Sequence, residues 1–441
     1  MSVTLPLPLS ILLPLVAAAY LLLQRTLRFR RLHALQSQYP PSSFPNMTLT
    51  EAYNIHYSLT ALEFPTTFSQ SVFFALFKTY GIPTISSLLL HTSELSGPTA
   101  SKRAADTGVL LTEIFLNPPG SDRAKRAMGR MNYLHSRWQK AGKISNEDML
   151  YTLSLFALEP ARWVSRYEWR PLSDVEQNAR GIYWRWVGEG MGIDMSPLLH
   201  HSTPNKLPDA TPLPQNKPPS WPHGLAWMRS LETWSLSYEE SHMLPAPSNR
   251  SVATGTVGIL LTNVPPSLHS AADQAIRVLM EPRLRRSMMY PDPSPLASRL
   301  VLGILALRKW ILLHLALPRP WVLRWKWFDP QEDAEGRIHA RQFTAHPWYV
   351  RPSTGWRWGV KGLLLRLAGG VVPGDEGGRY LPQGYRIEDV GPERQVGRGK
   401  EEMSREVESS GYFDFPSTTK PIAYMSALPF LPFRRTSGFR D

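Results

Sequence analysis

Two short segments carry side chains able to do chemistry. In Arg103-Ala-Ala-Asp106-Thr107 the polar groups recur at i, i+3 and i+4, so on a helix all three share one face. In Arg130-Met-Asn132-Tyr133-Leu134-His135-Ser136-Arg137-Trp138 a histidine stands among aromatic and apolar neighbours. An imidazole in such surroundings is a candidate ligand for a metal or for haem iron. Taken alone it is more often a hydrogen-bonded core residue, and Arg103 with Asp106 an ordinary ion pair on a solvated helix face.

The rest of the inventory narrows the choice. The chain has no cysteine, which excludes disulfide scaffolds, Cys-ligated zinc, iron–sulfur clusters, cysteine nucleophiles and thiolate-ligated haem. A metal or haem would have to use His, Met, Tyr or carboxylate. There is no His-Glu-x-x-His helix, no Gly-x-Ser-x-Gly elbow, no Walker A loop and no His-x-Asp/Glu pair. Gly188-Glu-Gly190-Met-Gly192 ends an aromatic helical stretch and follows no strand, so it does not read as a nucleotide loop. A di-metal oxidase would need a pair of Glu-x-x-His motifs on facing helices, and the chain does not offer the pair.

With 441 residues, 42% hydrophobic and 11% aromatic, the chain is long and apolar enough for one large core or two. Its formal charge of +13 points to an anionic partner. The basic clusters at Arg25–Arg31 and Arg308–Lys326 adjoin long apolar runs, so an anionic lipid surface fits better than nucleic acid, at about 1 kcal/mol per basic residue near the bilayer. No zinc-finger or RNA-binding signature argues otherwise.

Residues Leu5 to Gln24 carry no charge, and the run from Leu7 to Leu23 is just long enough to cross a bilayer. Pro6, Pro8 and Pro14 weaken it, but proline is tolerated at helix starts and kinks a span without forbidding it. Arg25, Arg28, Arg30 and Arg31 follow the run, the reverse of a cleaved signal peptide, so a retained anchor is expected. The positive-inside rule then puts the bulk of the chain in the cytosol, where the sequons Asn46-Met-Thr48 and Asn249-Arg-Ser251 would be chance matches.

After the anchor, residues 25–48 are expected to be a basic, Pro/Ser-rich linker, 49–400 a single helical domain and 401–441 a flexible tail. Thr48 with Glu51 has capping-box spacing, as does Ser173 with Glu176, and Ser145 also reads as an N-cap. Helices are expected over Ser69 to Lys78, Thr84 to Leu90, Lys102 to Phe115, Asp122 to Lys140 and from Met149 past Pro160 with a kink. Further helices are expected from Ser173 on, over Trp227 to Met243, Val252 to Leu261 and Leu268 to Met280. His200 to Pro222 is Pro-rich and reads as a loop. Leu296 to Leu317 is the second long apolar run, but Arg299, Arg308 and Lys309 make it an amphipathic or buried helix more naturally than a second span. Alternating β patterns are scarce, so the fold class is mainly α-helical.

Many of these segments together resemble the mpaB-type ER-bound oxygenases, a family sharing its catalytic domain with bacterial latex-clearing rubber oxygenases. The likeness is carried by Arg103-x-x-Asp106-Thr107, Tyr133-Leu134-His135-Ser136, Gly142-Lys-Ile144 through Leu150-Tyr-Thr-Leu153, and Glu168-Trp-Arg170-Pro-Leu-Ser-Asp174. It continues through Phe74-Ala-Leu-Phe77, Thr79-Tyr-Gly-Ile-Pro83, Asn263-Val-Pro265, Leu317-Pro-Arg-Pro320 and Pro373-Gly-Asp375, from the anchor to about Lys400. The resemblance implies a helical fold holding haem b, anchored in the ER membrane with a cytosol-facing domain. It implies oxidative cleavage of a C=C bond in a prenylated or terpenoid compound of secondary metabolism. O2 is the co-substrate, and there is room for a redox partner.

By the same resemblance His135 matches the proximal haem histidine, and Arg103 and Thr107 match distal polar positions. Asp106 stands where the rubber oxygenases have Lys, and Asn132 and Gln139 where they flank the ligand with arginines. On this reading Asp106 and Thr107 hydrogen-bond O2 or a water, Arg103 holds Asp106 ionised or pairs with a propionate, and Phe73, Phe74, Phe77 and Trp184 line an apolar channel. The alternative is a non-catalytic, membrane-anchored lipid-binding or scaffold protein on the same fold.

Overall fold

The computed structural model describes residues 8–92, 100–200 and 221–409. Helix α1 (Leu9–Gln38) opens it, and it alone among the described single helices is long and apolar enough to cross a membrane. Its 30 residues make a rod of about 45 Å, longer than a ~30 Å hydrocarbon core. The helix does not stop at the arginines: the expected linker is mostly helical, through Gln38 and then a 3₁₀ segment, Pro41–Asn46. The reason is that these side chains find partners on the body. Arg31 donates to Glu63 at 2.7 Å, and Phe29 meets Trp169 edge-on at 5.1 Å.

Introducing arginine at both Leu15 and Val16 is expected to move the protein from the membrane pellet to the supernatant on alkaline carbonate extraction. Each charge costs ~2.5–3.5 kcal/mol at a span's centre, together comparable with the whole apolar gain of the segment.

The body follows in chain order. Thr48 and Glu51 form the expected capping box at the start of α2 (Leu49–Ser58). A π-helical turn leads to α3 (Pro65–Thr79), and α4 (Pro83–His91) is bent 89° from it at Gly81-Ile-Pro83. Helices α5 (Ala100–Leu116) and α6 (Asp122–Lys140) form a hairpin closed by Asn117-Pro-Pro-Gly120. Gly142 ends α6 with a φ of +64°, which a Cβ would make costly. Next come α7 (Asn146–Tyr167), α8 (Asp174–Gly190), α9 (Pro197–His200), α10 (Gly224–His242) and α11 (Pro247–Leu260). α7 carries Pro160 within it.

Helix α10 starts three residues before Trp227 because Gly224 must pack on α8: a Cβ on Gly181 would lie 2.1 Å from the Gly224 carbonyl oxygen. Helix α11 likewise starts before Val252, since Asn249 is buried and donates to the carbonyls of Gly81 and Ser287 at 3.1 and 3.0 Å. A buried, fully engaged amide is no glycan acceptor, in keeping with a chance sequon.

Then follow α12 (His269–Leu279), α13 (Pro282–Ser287), α14 (Pro295–His314), α15 (Thr354–Trp358), α16 (Val360–Leu367) and α17 (Lys400–Ser409). Among the described residues β structure is limited to isolated bridges. Residues 401–409, the start of the expected tail, are helical, and Met403 is buried. The remainder of that tail and most of the His200–Pro222 loop lie outside the described residues.

Of the two expectations for helix α14, amphipathic or buried, the buried one does not hold. None of its residues is buried; Leu312 and Leu313 pack on the body, while Leu296, Leu300, Leu302 and Leu307 are exposed. Two of its basic residues are also held to the body: Arg308 donates to Glu168 at 2.8 Å and Lys309 to the Ser165 carbonyl at 3.4 Å.

Aromatic packing among α3, α5, α7, α8 and α10 makes the main core. One polar knot crosses it. Lys78 of α3 is almost fully buried, with Glu159 of α7 at 3.1 Å, Glu239 of α10 at 2.9 Å and Glu281 at 3.1 Å.

Candidate active site

The α5–α6 hairpin sets the geometry. Counted outward from its loop, Arg103 and His135 are equally far along their helices, so the hairpin brings the two chemically interesting segments abreast. The helices leave room between these ends, and both segments line one cavity of about 870 Å³. That is near the top of the ~300–1,000 Å³ range of small-molecule pockets. Most of the lining is aromatic or aliphatic, with the Ser69, Val72, Phe73 and Leu76 face of α3 on one side.

His135 sits deep in the fold yet keeps some accessible surface, and the space it lines is the cavity. Burial lowers its pKa, the nearby Arg103 cation adds to this, and the Met131 carbonyl one turn back opposes it. Nδ1 is buried and makes no well-formed hydrogen bond. The ring is therefore neutral at physiological pH, the form that ligates a metal.

The α5 face is arranged differently from expectation. Lys102, not Arg103, forms the ion pair with Asp106, at 2.7 Å, and Lys102 also donates to the Gly391 carbonyl at 2.9 Å. The Tyr349 hydroxyl donates to the other Asp106 oxygen at 2.5 Å. Burial raises the Asp106 pKa, and the Lys102 charge and the hydrogen bonds counter it. Arg103 reaches Thr92 at 3.2 Å, and Thr107 donates to the Arg103 carbonyl at 2.9 Å. All three expected residues line the cavity, but the Asp106 carboxylate is already engaged on both oxygens.

Tyr349 has a φ of +64°, a left-handed conformation costly for a bulky residue. It is held there by backbone bonds to Tyr380 and Ala340 and by an edge-on contact with Tyr385 at 5.2 Å. Burial, then the adjacent carboxylate, raise its pKa, so it remains a donor. Tyr349→Phe is expected to lower the free energy of unfolding by about 1.5–3 kcal/mol, the usual worth of a hydrogen bond to a charged group. Chemical denaturation of the two proteins measures it.

The same cavity wall is closed by residues 390–398. Arg130 of α6 clamps them by donating to the carbonyls of Val390, Arg398 and Gln395 at 2.8, 2.8 and 2.9 Å. Asn132 ties α6 to the Gly190 carbonyl at 2.9 Å, whereas Gln139 is exposed.

Of the four expected channel residues, Phe73 and Trp184 line the cavity. Phe74 and Phe77 do not, because they face α7 and the core, Phe74 lying 5.0 Å from Trp163. Two lining residues carry no sequence signal: His56, stacked on Tyr183 at 4.4 Å, and Arg180, over Phe68 at 4.9 Å. Both are buried with unpaired nitrogens, and burial pushes Arg180 down to about 9. Lys102 was legible as an i, i+4 partner of Asp106, but Tyr349 lies 243 positions from Asp106 and no local pattern connects them.

Among the described residues no group of three or more His, Asp or Glu side chains is placed to hold a metal ion. The one Glu-x-x-His, Glu239 to His242, sends its glutamate to Lys78 and stacks its histidine on Tyr238 at 4.1 Å. The fold and site thus define a helical protein with an N-terminal helix able to span a membrane and a large apolar cavity whose wall carries three histidines, His56, His135 and His346, each with its pKa lowered by burial.

No protein-family model matches the chain. It is 39% identical over 388 residues to the ER-bound oxygenase mpaB' of Penicillium brevicompactum, covering 87% of this chain and 88% of that one. It is 37% identical over 376 residues to the ER-bound oxygenase mpaB of the same species, covering 84% and 86%. With the ER-bound oxygenase mpaB of Penicillium roqueforti it shares 40% over 278 residues, 62% of this chain and 88% of the relative. The chain belongs to the mpaB family of ER-bound oxygenases.

Proposed function

We propose that the chain is a haem-dependent oxygenase of the ER membrane that cleaves a C=C bond in the prenyl chain of a terpenoid or meroterpenoid, with its catalytic body in the cytosol. The observation that carries this is His135: a neutral imidazole on the wall of a large apolar cavity, abreast of the polar α5 segment, whereas the other lining histidines, His56 and His346, are stacked on Tyr183 and Tyr380. Haem b, when bound, supplies the iron at which O2 is activated.

The chain's own residues do the rest. His135 offers a single nitrogen ligand through Nε2. Arg103, on the facing helix, lines the same cavity and brings a positive charge to the side a propionate would meet. Thr107 spends its proton on the Arg103 carbonyl and keeps lone pairs for a hydrogen-bond donor in the cavity. Lys102 and Tyr349 hold Asp106 in place, so that carboxylate organises the wall and takes no proton from substrate. Phe73, Trp184 and the α3 face provide an apolar bed for a prenyl chain and exclude water. The unpaired nitrogens of Arg180 and His56 suit an oxygen atom of the substrate.

Cleavage to two carbonyl groups consumes both atoms of one O2 and no external electrons. Retention of one oxygen atom only would instead require a redox partner. The placement of α1, with Arg25 and Arg30 exposed just beyond its apolar stretch, supports the cytosolic orientation.

Protein purified after expression with a haem precursor is expected to show a Soret band and iron near one equivalent, and to convert prenylated phenols to shortened aldehydes labelled by ¹⁸O2. Haem-free protein under those conditions would favour a lipid-binding scaffold instead.

A further inference from the structure

A soluble protein turns the apolar side of a surface helix inward; α14 packs Leu312 and Leu313 on the body but leaves a long apolar stripe outside. Leu296, Leu300, Ile304, Leu307 and Ile311 recur at spacings of four, four, three and four, so they form one stripe, and they are between 40% and 67% exposed. Two of the three charges of the same helix, Arg308 and Lys309, are bonded to α7 and the residue after it, and the third, Arg299, is exposed.

The stripe is continuous with the anchor. Gln24 of α1, itself buried, donates to the carbonyls of Leu313 and Ala316 at 3.0 and 2.9 Å, and Tyr20 donates to Leu315 at 2.6 Å. These contacts are all at the C-terminal end of α14, beside the point where the apolar part of α1 gives way to arginines. The other end is fastened to α12, where Ser294 donates to Gln274 at 3.0 Å. So α14 does not run back along α1. It leads away from the anchor's exit across the body, about 30 Å for its 20 residues. Arg25 and Arg30 on α1 and Arg299 on α14 itself are exposed, matching an anionic leaflet.

We infer that α14 lies in the plane of the membrane interface, with its leucine stripe among the acyl chains, so that the body is docked flat on the bilayer and not merely tethered to it. The stripe meets lipid, and the anchor beside the stripe is what selects it.

The absence of cysteine allows unique labels. Full-length Leu300→Cys, Ile304→Cys and Asp122→Cys proteins, each carrying a nitroxide, are reconstituted in phosphatidylcholine vesicles containing a minor fraction of phosphatidylserine. Asp122, 79% exposed on α6, is the aqueous reference. The expected result is that oxygen collides with the α14 labels more often than a water-soluble nickel chelate does, with the order reversed at Asp122. Labels on α14 that behave like the one at Asp122 overturn the inference. So do labels shielded from both reagents, which would mean that a second copy or another protein covers the stripe. Far-UV circular dichroism confirms that each single substitution leaves the fold intact, and the measurement stands whether or not haem is bound.

Discussion

His135→Ala is expected to abolish the Soret absorption of the purified protein, bring iron to background and eliminate oxygenase activity, while far-UV circular dichroism and membrane association stay unchanged. The reasoning is geometric. His135 lines the cavity abreast of the α5 segment, while the other lining histidines, His56 and His346, have their rings stacked on Tyr183 and Tyr380. With no cysteine in the chain, thiolate ligation is excluded as well. The fold should tolerate the change because His135 is only partly buried and its Nδ1 makes no well-formed hydrogen bond that the α6 packing would lose. Added imidazole should restore part of the Soret band by occupying the vacated space, which a merely unfolded variant cannot reproduce. Wild-type-like haem content in His135→Ala would remove the basis of the catalytic reading.

The second large effect is on stability. Lys78→Met is expected to cost about 3–5 kcal/mol near neutral pH, because it strands buried carboxylates without their counter-charge. Burial works against the Lys78 charge, but Glu159, Glu239 and Glu281 overcome it, and its pKa is raised. Its contribution is therefore complete below the unfolded lysine pKa and lost as the pH rises through the higher folded value.

Glu281 has the opposite sign. Burial acts to raise its pKa, but Lys78 and Arg166 outweigh it and bring it down to about 2. Its contribution is present above the unfolded value of 4.5 and fades as the pH falls towards 2. The gap between wild type and Lys78→Met should thus be widest around neutrality and narrow from pH 5 downward, as the carboxylates protonate in either protein. Urea unfolding at a series of pH values reads it directly. A gap independent of pH would mean that lost packing, not lost charge, is the cause.

These two residues also mark the boundary of what sequence can say. Lys78 looks like the basic end of an apolar helix; nothing within a turn of it announces three glutamates brought in from α7, α10 and the loop before α13. Asp106 was placed on the right helix face, but its partner was misassigned. Lys102 at i–4 competes with Arg103 at i–3, and only packing decides which side chain points the same way as the carboxylate. Phe74 and Phe77 show the same limit, since aromatic content does not reveal which face of α3 meets the cavity and which meets α7.

By itself the sequence determined the helical class, an N-terminal helix apolar enough to span a membrane, the capping boxes at Thr48 and Ser173, the two helices α5 and α6 and the candidacy of His135. Each of these depends on interactions within a turn or two of the chain, where residue type and spacing are sufficient. The tertiary structure alone decided that His135 lines a cavity, that Tyr349 closes on Asp106, and that α14 leaves a long apolar stripe outside. Those outcomes rest on which helix faces meet, a choice set by contacts between residues far apart in the chain, and no local periodicity encodes it.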